Sequence, residues 1–496
     1  MRYIKGTDRT QLTYWTAEDL ISEESMVRVI NKFIDISDLS KLGFTRTKPS
    51  ETGRLGYSAK ALSKLYVYGY ENGIRSSRKL EKETKRNIEV MWLMEGLTPD
   101  YKTIAEFRRE NIRPLQKLFR EFVKLCRSWE IIGGELIAND GSKFKASNNK
   151  KSNYSRKKLD DRLRRLDEKI EAYMAKLDEE DSHDNATETT AQQGLMELLK
   201  RKELYEEYMA HLNASGENEI STVDPDARLM GNNRGGVEMS FNVQSAVDGK
   251  YDIILDYDVS TNPSDQGQMG IMSKKLIRKG FRKFTMLADK GYYNGKDLQK
   301  MKQLRLKAIV AKQKPSNPKD QPKQFHKEQF KYDKATDSYR CPIGEMMIST
   351  SKKTADRRVY KNKSVCRNCP HASECIGGKA KHRTVTRNKY ADICDEADRQ
   401  FKENLPLYNL RQQIVEHPFG TVKHTMNGGY FLLRTRRKVR CEVALLFLGY
   451  NLKRAVKVLG FKDIMAKLHS LFCCFSFFRL PEHFYVARSF NFIFSI

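Results

Sequence analysis

Apolar residues return every three or four positions in two N-terminal stretches, residues 17–42 and 57–111. One buried face of a helix has this spacing. Gly73 and residues 96–99 interrupt the second stretch, so we expect several short helices joined by tight turns. Residues that favour helix N-termini mark the expected starts: Ser25 or Glu24, Ser76 or Ser77, and Thr103, which has capping-box spacing with Glu106.

The middle of the chain alternates between strand and helix patterns. Residues 134–140 form a short apolar run, and residues 236–247 and 251–259 alternate with a period of two around an Asp-Gly turn. The next predicted elements are a helix at 265–279, a strand at 284–288, a helix at 300–306 and a strand at 308–311. Three antiparallel strands followed by helical crossovers predict an α/β, ribonuclease-H-like mixed sheet. Its first and fourth strands should lie side by side and parallel.

Two long helical patterns interrupt this order after the first strand. Apolar residues step by four and three between residues 159 and 177, and a second helical pattern covers 195–212. An acidic, Thr-rich segment separates the two. We therefore predict an antiparallel helical hairpin, residues 155–213, inserted into the sheet domain. It is either a partner-binding arm or a hairpin that packs only on itself.

A helix with an unusual charge pattern is expected at residues 407–423, with a kink near Pro418. Its apolar stripe consists of Leu407, Leu410, Ile414 and Phe419. The charged and polar residues among them are Tyr408, Arg411, Glu416 and Lys423. A surface helix with solvated charges would explain this pattern. A helix whose carboxylate holds a metal and whose cations hold a phosphate would explain it equally well.

Two further carboxylates follow predicted strands of the sheet. Asp140 ends the first strand, and Asp289 ends the fourth. Open α/β sheets form their sites at the carboxyl ends of neighbouring strands, so we expect these two side chains to meet, with Glu416 as a third. Three carboxylates suit Mg²⁺, which prefers oxygen ligands. The alternatives are a hairpin turn at Asp140-Gly141 and a turn or cap role for Asp289.

Charge narrows the choice of partner. The 496 residues contain 91 Lys and Arg against 63 Asp and Glu, which gives a net charge of +28 spread along the chain. This charge favours nucleic acid as the partner, then an anionic membrane; a basic protein without such a partner is the alternative. No signal-peptide pattern opens the chain, and the apolar run at 471–478 is too short to span a bilayer. We expect a soluble, intracellular protein.

Basic residues are dense among the short helices predicted near the N-terminus. Short helices, tight turns and exposed cations together predict a helix-turn-helix-like DNA-binding module. An ordinary helical bundle with a solvated basic face is the alternative. The residues expected to be exposed are Arg75, Arg78, Lys79, Lys82, Lys85, Arg86, Arg108 and Arg109.

Nine cysteines, an odd number without disulfide spacing, indicate a reducing compartment. Cys366 and Cys369 have zinc-knuckle spacing within a Lys- and Pro-rich segment, residues 312–406. The candidate zinc ligands are Cys341, Cys366, Cys369 and Cys375, with His371 as a competing ligand. Because the segment has little apolar content, we expect a bound metal to provide its fold. Reduced, unliganded thiols are the alternative.

These motifs together resemble the DDE transposases of bacterial insertion sequences, over residues 57–459. The matching blocks are ANDGSKFKA with Asp140, LADKGYYNG with Asp289, and a run of Tyr408, Arg411, Glu416 and Lys423. In this run four residues separate Arg411 from Glu416, where the family pattern has three. Further likeness lies in FNVQSAVD, in Asp265 after TNPS, and in VALLFLGYNLKRA.

The resemblance implies a DNA transposase that binds the terminal inverted repeats of its insertion sequence. It would cleave the ends by Mg²⁺-dependent phosphodiester hydrolysis and join the 3′-hydroxyl to target DNA by transesterification. The implied residues are Asp140, Asp289 and Glu416 for catalysis on two Mg²⁺ or Mn²⁺ ions, and Tyr408, Arg411 and Lys423 for DNA binding. A homodimer on DNA and a bacterial cytoplasmic, nucleoid-associated location are also implied, with no membrane partner. A catalytically inactive DNA-binding protein and a nuclease of the same fold without strand transfer are the alternatives.

We divide the chain into four parts on these grounds. The parts are a helical DNA-binding region (1–125), a catalytic core (126–313 and 407–460, with the hairpin 155–213), an insertion with the candidate zinc site (314–406) and a C-terminal tail (461–496).

Overall fold

The computed structural model describes residues 10, 12, 14–48, 56–180, 188–231, 235–312, 322–350, 356–376 and 380–477. The N-terminal region is helical, as predicted. Its helices are α1 (Met26–Ile36), α2 (Leu39–Leu42), α3 (Ala59–Glu71), α4 (Ser77–Arg86), α5 (Ile88–Leu93), α6 (Tyr101–Glu110) and α7 (Ile112–Ser128). Aliphatic and aromatic side chains, among them the fully buried Phe33, Tyr66 and Phe122, form their common core.

Polar caps fix where these helices begin. The Ser25 hydroxyl accepts a hydrogen bond from the Val27 amide at the start of α1, as predicted. The predicted capping box at Thr103 is wrong, because Asp100 precedes α6 and its carboxylate accepts from the Lys102 and Thr103 amides at 2.8 and 3.0 Å. An aspartate in extended conformation satisfies both amides, so Thr103 lies inside the helix.

Two of the arginines that we expected to be exposed are not: Arg75 is buried and Arg108 is half-buried. Arg75 is 2% exposed and forms an ion pair with the fully buried Glu442 at 3.3 Å. It also donates a 2.6 Å hydrogen bond to the Tyr430 carbonyl. Arg108 lies 5.6 Å from the ring centre of the buried Tyr66. These two cations therefore stabilise the fold, while the other six expected residues are exposed.

A mixed sheet forms the centre of the molecule. The elements of this part are β1 (Leu136–Lys145), β2 (Asn153–Ser155), α8 (Arg156–Glu180), α9 (Glu188–Ser215), β3 (Glu219–Ser221), β4 (Arg228–Gly231), β5 (Val237–Asp248), β6 (Ile254–Ser260), α10 (Gln268–Arg278), β7 (Thr285–Ala288), α11 (Gly295–Gln303) and β8 (Lys307–Val310). Helix α11 begins earlier than predicted because the Asn294 side chain caps it.

The strand order confirms the predicted ribonuclease-H-like fold. Strand β5 lies between β6 and β1, antiparallel to both, and the short β4 pairs with the same edge of β5 as β6 does. Strand β7 then pairs parallel with β1, and β8 parallel with β7. The first and fourth main strands, β1 and β7, are therefore parallel neighbours, as the element order predicted.

The first strand is longer than predicted. Strand β1 does not end at Asp140 but continues to Lys145, and Asp140 pairs with Ser245 of β5 inside the ladder. The alternative of a hairpin turn at Asp140-Gly141 is therefore wrong as well. Polar residues continue this strand because its neighbour β5 still supplies backbone partners beyond the point where β7 ends.

The helical hairpin packs on itself. Helices α8 and α9 lie against each other, and the small β2–β3 ladder closes their base. Leu159, Leu166, Tyr205 and Leu212 form a hydrophobic cluster of their own, separate from the main core. The heptad spacing of the apolar residues is therefore explained by the packing of α8 against α9.

The insertion folds as a small antiparallel sheet, in the order β13-β12-β11-β10-β9. Its elements are β9 (Lys331–Asp333), β10 (Ser338–Arg340), β11 (Met346–Ser349), β12 (Arg357–Lys361), α12 (Lys363–Arg367), α13 (Ala372–Cys375) and β13 (Thr384–Asn388). Phe330, Tyr339, Met347, Tyr360 and Val385 are buried together in it. The insertion therefore has a small apolar core of its own, and the expectation that a metal provides its fold stays a prediction.

Four helices complete the chain: α14 (Ala391–Glu403), α15 (Leu405–Gly420), α16 (Arg436–Leu459) and α17 (Phe461–Phe477). Helix α14 packs on α11 and β8, and α16 packs on both the N-terminal helices α3 and α7 and strand β6. One continuous apolar core thus joins the N-terminal region to the sheet. Helix α17 packs on α1, and the tail beyond residue 477 lies outside the described residues. No described helix is long and apolar enough to cross a membrane.

Candidate active site

Asp140 and Asp289 lie next to each other at the edge of the sheet. The parallel pairing of β1 with β7 ends at Asn139 opposite Ala288, so the next residues on the two strands are Asp140 and Asp289. Neighbouring strands lie about 4.8 Å apart. Asp289 also caps the following turn, since its Oδ1 accepts a 2.8 Å hydrogen bond from the Gly291 amide. The cap role that we considered as an alternative is therefore compatible with a place in the site.

Asp140 is poorly suited to carry its charge alone. Burial raises the pKa of Asp140 to about 7, and the neighbouring carboxylates of Asp289 and Asp265 act in the same direction. The Arg411 guanidinium opposes them and lowers that pKa. Carboxylates that disfavour one another's ionisation at one place are a common feature of catalytic and cation-binding sites.

Asp265 is a carboxylate of this site to which we assigned no role from the sequence. Its Oδ1 accepts hydrogen bonds from Asn242 Nδ2 and from Gln244 Nε2, both at 2.7 Å. These two amide side chains are fully buried on β5, in the block FNVQSAVD. Amide side chains inside an otherwise apolar buried strand were the signal in the sequence, because a buried polar group needs a hydrogen-bonding partner.

Helix α15 carries the remaining predicted site residues and packs on β1, β5 and β7. Ile414, Val415 and Phe419 are buried against the sheet as predicted, whereas Leu410 is exposed. The helix contains Pro418 and then widens into a π-helical turn, in which the Met426 amide donates to the Thr421 carbonyl. A proline that removes one helical hydrogen bond precedes this change of pitch.

Glu416 lies on α15 with its side chain exposed. Its Oε1 accepts a 2.8 Å hydrogen bond from Gln412 Nε2, one turn earlier. Along the helix, Glu416 lies between Arg411 and Phe419. Arg411 lowers the pKa of Asp140, and the Phe419 ring centre lies 6.0 Å from that of Phe144 on β1. Across the described ranges, no three Asp, Glu, His or Cys side chains are close enough together to hold a metal ion. The role of Glu416 as third carboxylate therefore stays a prediction.

Two cations, Arg411 on α15 and Lys423 in the π-helical turn that follows it, act on strand β1. Arg411 stacks with Tyr408, 5.7 Å from its ring centre, and its buried Nε has no hydrogen-bond partner among the described residues. Lys423 Nζ donates to Ser142 Oγ at 2.6 Å and to the Lys143 carbonyl at 2.9 Å. Lys423 therefore tethers the end of the helix to the strand that carries Asp140.

Two family models match this chain. One, described as "Transposase domain (DUF772)", matches residues 15–110, which contain helices α1–α6. The other, described as "Transposase DDE domain", matches residues 340–456, which contain Glu416 and Lys423. The chain is therefore a transposase that contains a DDE domain. Neither match covers residues 111–339, so the assignment of Asp140 and Asp289 depends on the strand order and register described above.

One solved structure similar to this transposase is the piggyBac transposase synaptic complex with hairpin DNA, determined by cryo-electron microscopy. The two chains are 10% identical over 92% of this chain and 83% of that chain, with a TM-score of 0.31. No curated protein shows significant sequence similarity to this chain. The ribonuclease-H-like assignment depends on the strand order and not on this distant similarity.

The DDE family implies divalent metal ions, and the donor atoms at this edge of the sheet suit such ions chemically, although the described side chains are not grouped closely enough to hold one as they stand. Asp140, Asp289 and Asp265 interact electrostatically, and together they offer the oxygen donors that Mg²⁺ and Mn²⁺ prefer. A bound cation would relieve the cost of burying Asp140 beside two other carboxylates. The charge environment therefore favours a cation at this edge of the sheet.

The four candidate zinc ligands of this transposase lie near one another. Burial raises the pKa of the Cys375 thiol, and the thiols of Cys366, Cys341 and Cys369 contribute to this rise. Cys341 and Cys375 also pack against the small core of the insertion. The described thiols are not arranged to hold a metal ion, so zinc stays a prediction.

Proposed function

We propose that this transposase binds the terminal inverted repeats of its insertion sequence, cleaves the DNA at those ends and joins the freed 3′-hydroxyl to target DNA. One observation carries the proposal: the β1–β7 register places Asp140 beside Asp289 on a ribonuclease-H-like sheet. The match of residues 340–456 to a transposase DDE domain supports it, because that match includes the helix that carries Glu416.

The acidic residues are proposed to hold two Mg²⁺ or Mn²⁺ ions, with Asp140 and Asp289 as ligands and Glu416 as the third. When bound, such ions activate an attacking oxygen and neutralise the leaving oxygen of an in-line phosphoryl displacement. The protein itself supports Asp140 from two sides. The β1 ladder fixes its backbone, and Arg411 stabilises its ionised form.

Double-stranded DNA is the proposed partner, and a homodimer is the proposed form on DNA. Arg411 is suited to a phosphate near the scissile bond, because its Nε has a donor to spare and Tyr408 supports its plane. The ammonium group of Lys423, which is held against β1, is proposed to attract the DNA phosphates near the site. Arg78, Lys79 and Lys82 on the exposed side of α4 would contact the backbone of the terminal repeats, which fixes position and does not read sequence.

A structural zinc ion in the insertion is a separate proposal. Its ligands would be Cys341, Cys366, Cys369 and Cys375, and the electrostatic interaction among these thiols supports it. Zinc would fasten α12 and α13 to the small sheet, which already has an apolar core. The metal would therefore stabilise this part together with its small apolar core.

The test uses a labelled DNA fragment that carries the sequences flanking the gene, with Mg²⁺ and a target plasmid. Wild-type protein should cleave the fragment ends and join them to the plasmid. Asp289→Ala should bind the fragment as the wild type does and neither cleave nor join. Asp356→Ala, an exposed carboxylate of the insertion, is the matched control and should retain activity.

Three results would contradict the proposal. Cleavage by Asp289→Ala at the wild-type rate would remove Asp289 from the site. Cleavage without joining by the wild type would indicate a nuclease of the same fold. Binding without any Mg²⁺-dependent cleavage would indicate a DNA-binding protein that has lost catalysis.

A further inference from the structure

Asp265 is held with one carboxylate oxygen fixed and the other directed at the active site. Oδ1 accepts from the two buried amides, Asn242 Nδ2 and Gln244 Nε2, at 2.7 Å each. Oδ2 of Asp265 lies near Gly291. A methyl carbon added to Gly291 would be 3.6 Å from this Oδ2 and 3.0 Å from Asp289 Oδ1. The free oxygen of Asp265 and the capping oxygen of Asp289 therefore flank the same backbone position.

The same side chain also touches the strand that bears Asp140. A methyl carbon on Gly141 would lie 2.4 Å from Asp265 Oδ1 and 2.2 Å from Gln244 Nε2. Only a residue without a side chain allows these groups to approach the β1 backbone so closely. Asp265 is thus in contact with the residue after Asp140 and beside the turn after Asp289, which places it between the two strand ends.

A buried chain of hydrogen bonds holds this arrangement. The Tyr292 hydroxyl, fully buried, donates to Gln244 Oε1, which leaves the amide nitrogen of Gln244 to donate to Asp265. Tyr292 follows Asp289 by three residues, so the turn that Asp289 caps also positions Asp265. Such partners around a cation ligand commonly change metal affinity by about 10–100-fold when they are removed.

The positive charge beside Asp265 is small. Lys143 Nζ lies 3.7 Å from Oδ1 and donates at 2.7 Å to the Pro263 carbonyl. Asp265 is 23% exposed, and the described residues provide no hydrogen bond to its Oδ2. Oδ1 of Asp265 is thus shared between two amides and a long ion pair with Lys143, whereas Oδ2 is left open to a further partner such as a cation.

We propose that Asp265 supplies a further carboxylate to the divalent-cation site of Asp140 and Asp289, with Oδ2 as the ligating atom and with Asn242 and Gln244 as positioning residues. This inference rests on the proposed function, because it assumes that the strand ends bind a divalent cation. It predicts that Asp265 changes metal affinity directly, in the absence of DNA.

The test is a titration of the purified full chain with Mn²⁺ alone, followed by the free-ion signal in electron paramagnetic resonance. Asp265→Asn preserves the oxygen that accepts from both amides and removes the charge of the ligating oxygen. We expect Mn²⁺ affinity to fall by about tenfold or more, with an unchanged thermal unfolding midpoint. Asp356→Asn removes an exposed carboxylate of the insertion, which forms an ion pair with Lys389, and should bind Mn²⁺ as the wild type does.

Wild-type Mn²⁺ affinity in folded Asp265→Asn would overturn the inference, whatever its cleavage activity. Should Asp265→Asn fail to fold, Asp265→Ser replaces it, because the smaller serine leaves room for water to accept from the two amides. A fall in Mn²⁺ affinity of this variant would again support the inference, and wild-type affinity would overturn it. The cleavage assay separates this inference from the proposed function. A wild-type protein that binds Mn²⁺ through Asp265 and cuts no DNA would refute the transposition mechanism and leave the metal site standing.

Discussion

Gly141→Ala is the substitution whose cost the structure defines most clearly. The added methyl would lie 2.2 Å from Gln244 Nε2, 2.4 Å from Asp265 Oδ1 and 3.1 Å from Asn242 Oδ1. Heavy atoms in favourable contact are about 3.5–4.0 Å apart, so the first two groups would have to retreat by more than about 1 Å. Both are members of the buried hydrogen-bond chain, so they cannot move independently.

The magnitude follows from three contributions. Overpacking costs about 1–3 kcal/mol, and the loss of one hydrogen bond to a charged group costs about 1.5–3 kcal/mol. Alanine is better than glycine within a strand by about 0.5–1 kcal/mol. We therefore expect Gly141→Ala to lower the free energy of unfolding by about 2–5 kcal/mol. It should also abolish cleavage because Asp265 is displaced.

Urea unfolding followed by far-ultraviolet circular dichroism measures this change. Gly231→Ala is the matched control, because Gly231 also lies in a strand of the same sheet and an added methyl there meets nothing within 4 Å. The control should be as stable as the wild type or slightly more so. If Gly141→Ala unfolds at the wild-type urea concentration and cleaves normally, the close packing around Asp265 does not exist.

Three further predictions concern other parts of the chain. Arg75→Met should lower the free energy of unfolding by about 3–5 kcal/mol, because it leaves Glu442 buried without its cation. Lys124→Ala, at an exposed lysine, should change this free energy little, and equal denaturation midpoints for the two variants would contradict the prediction. Arg78→Ala, Lys79→Ala and Lys82→Ala together should weaken DNA binding and reduce the slope of log affinity against log salt by up to about 3; an unchanged slope would remove α4 from the DNA interface. Freshly purified, reduced protein should contain about one zinc per chain by elemental analysis, and Cys366→Ser with Cys369→Ser should lose it; zinc-free wild-type protein would refute the site.

The sheet was predictable because its element order is informative. Three strands in succession, two of them joined by an Asp-Gly turn, and then two helix–strand units leave few arrangements, since connections between parallel strands are right-handed and short. That order alone placed Asp140 beside Asp289, and the observed register agrees. The end of β1 was not predictable in the same way, because polar residues 140–145 continue the strand only through pairing with β5.

Buried charges were the main source of error in the N-terminal region. Arg75 and Arg108 stand among exposed lysines and arginines in the sequence, and nothing local distinguishes them. Glu442, the partner of Arg75, follows it by more than 360 residues, on the helix that joins the N-terminal region to the sheet. A contact over such a separation is a property of the tertiary fold and has no signal in a window of sequence.

Asp265 and its amide partners were only partly visible in advance. The block FNVQSAVD is one of the likenesses to the transposase family, but a window of sequence does not show that Asn242 and Gln244, two residues apart on one face of β5, donate to a common acceptor. Glu416 shows the opposite case. The sequence indicates it as a site residue, while in the structure its side chain is exposed on α15 and accepts a hydrogen bond from Gln412.

The most direct test of this account is the position of the metal. Crystals of the transposase bound to its terminal DNA and soaked with Mn²⁺ should show anomalous scattering peaks in contact with Asp140 and Asp289, with Glu416 turned toward the same ions. Peaks that lie elsewhere, or carboxylates that remain apart with the DNA in place, would contradict the claim that these strand ends form the catalytic centre.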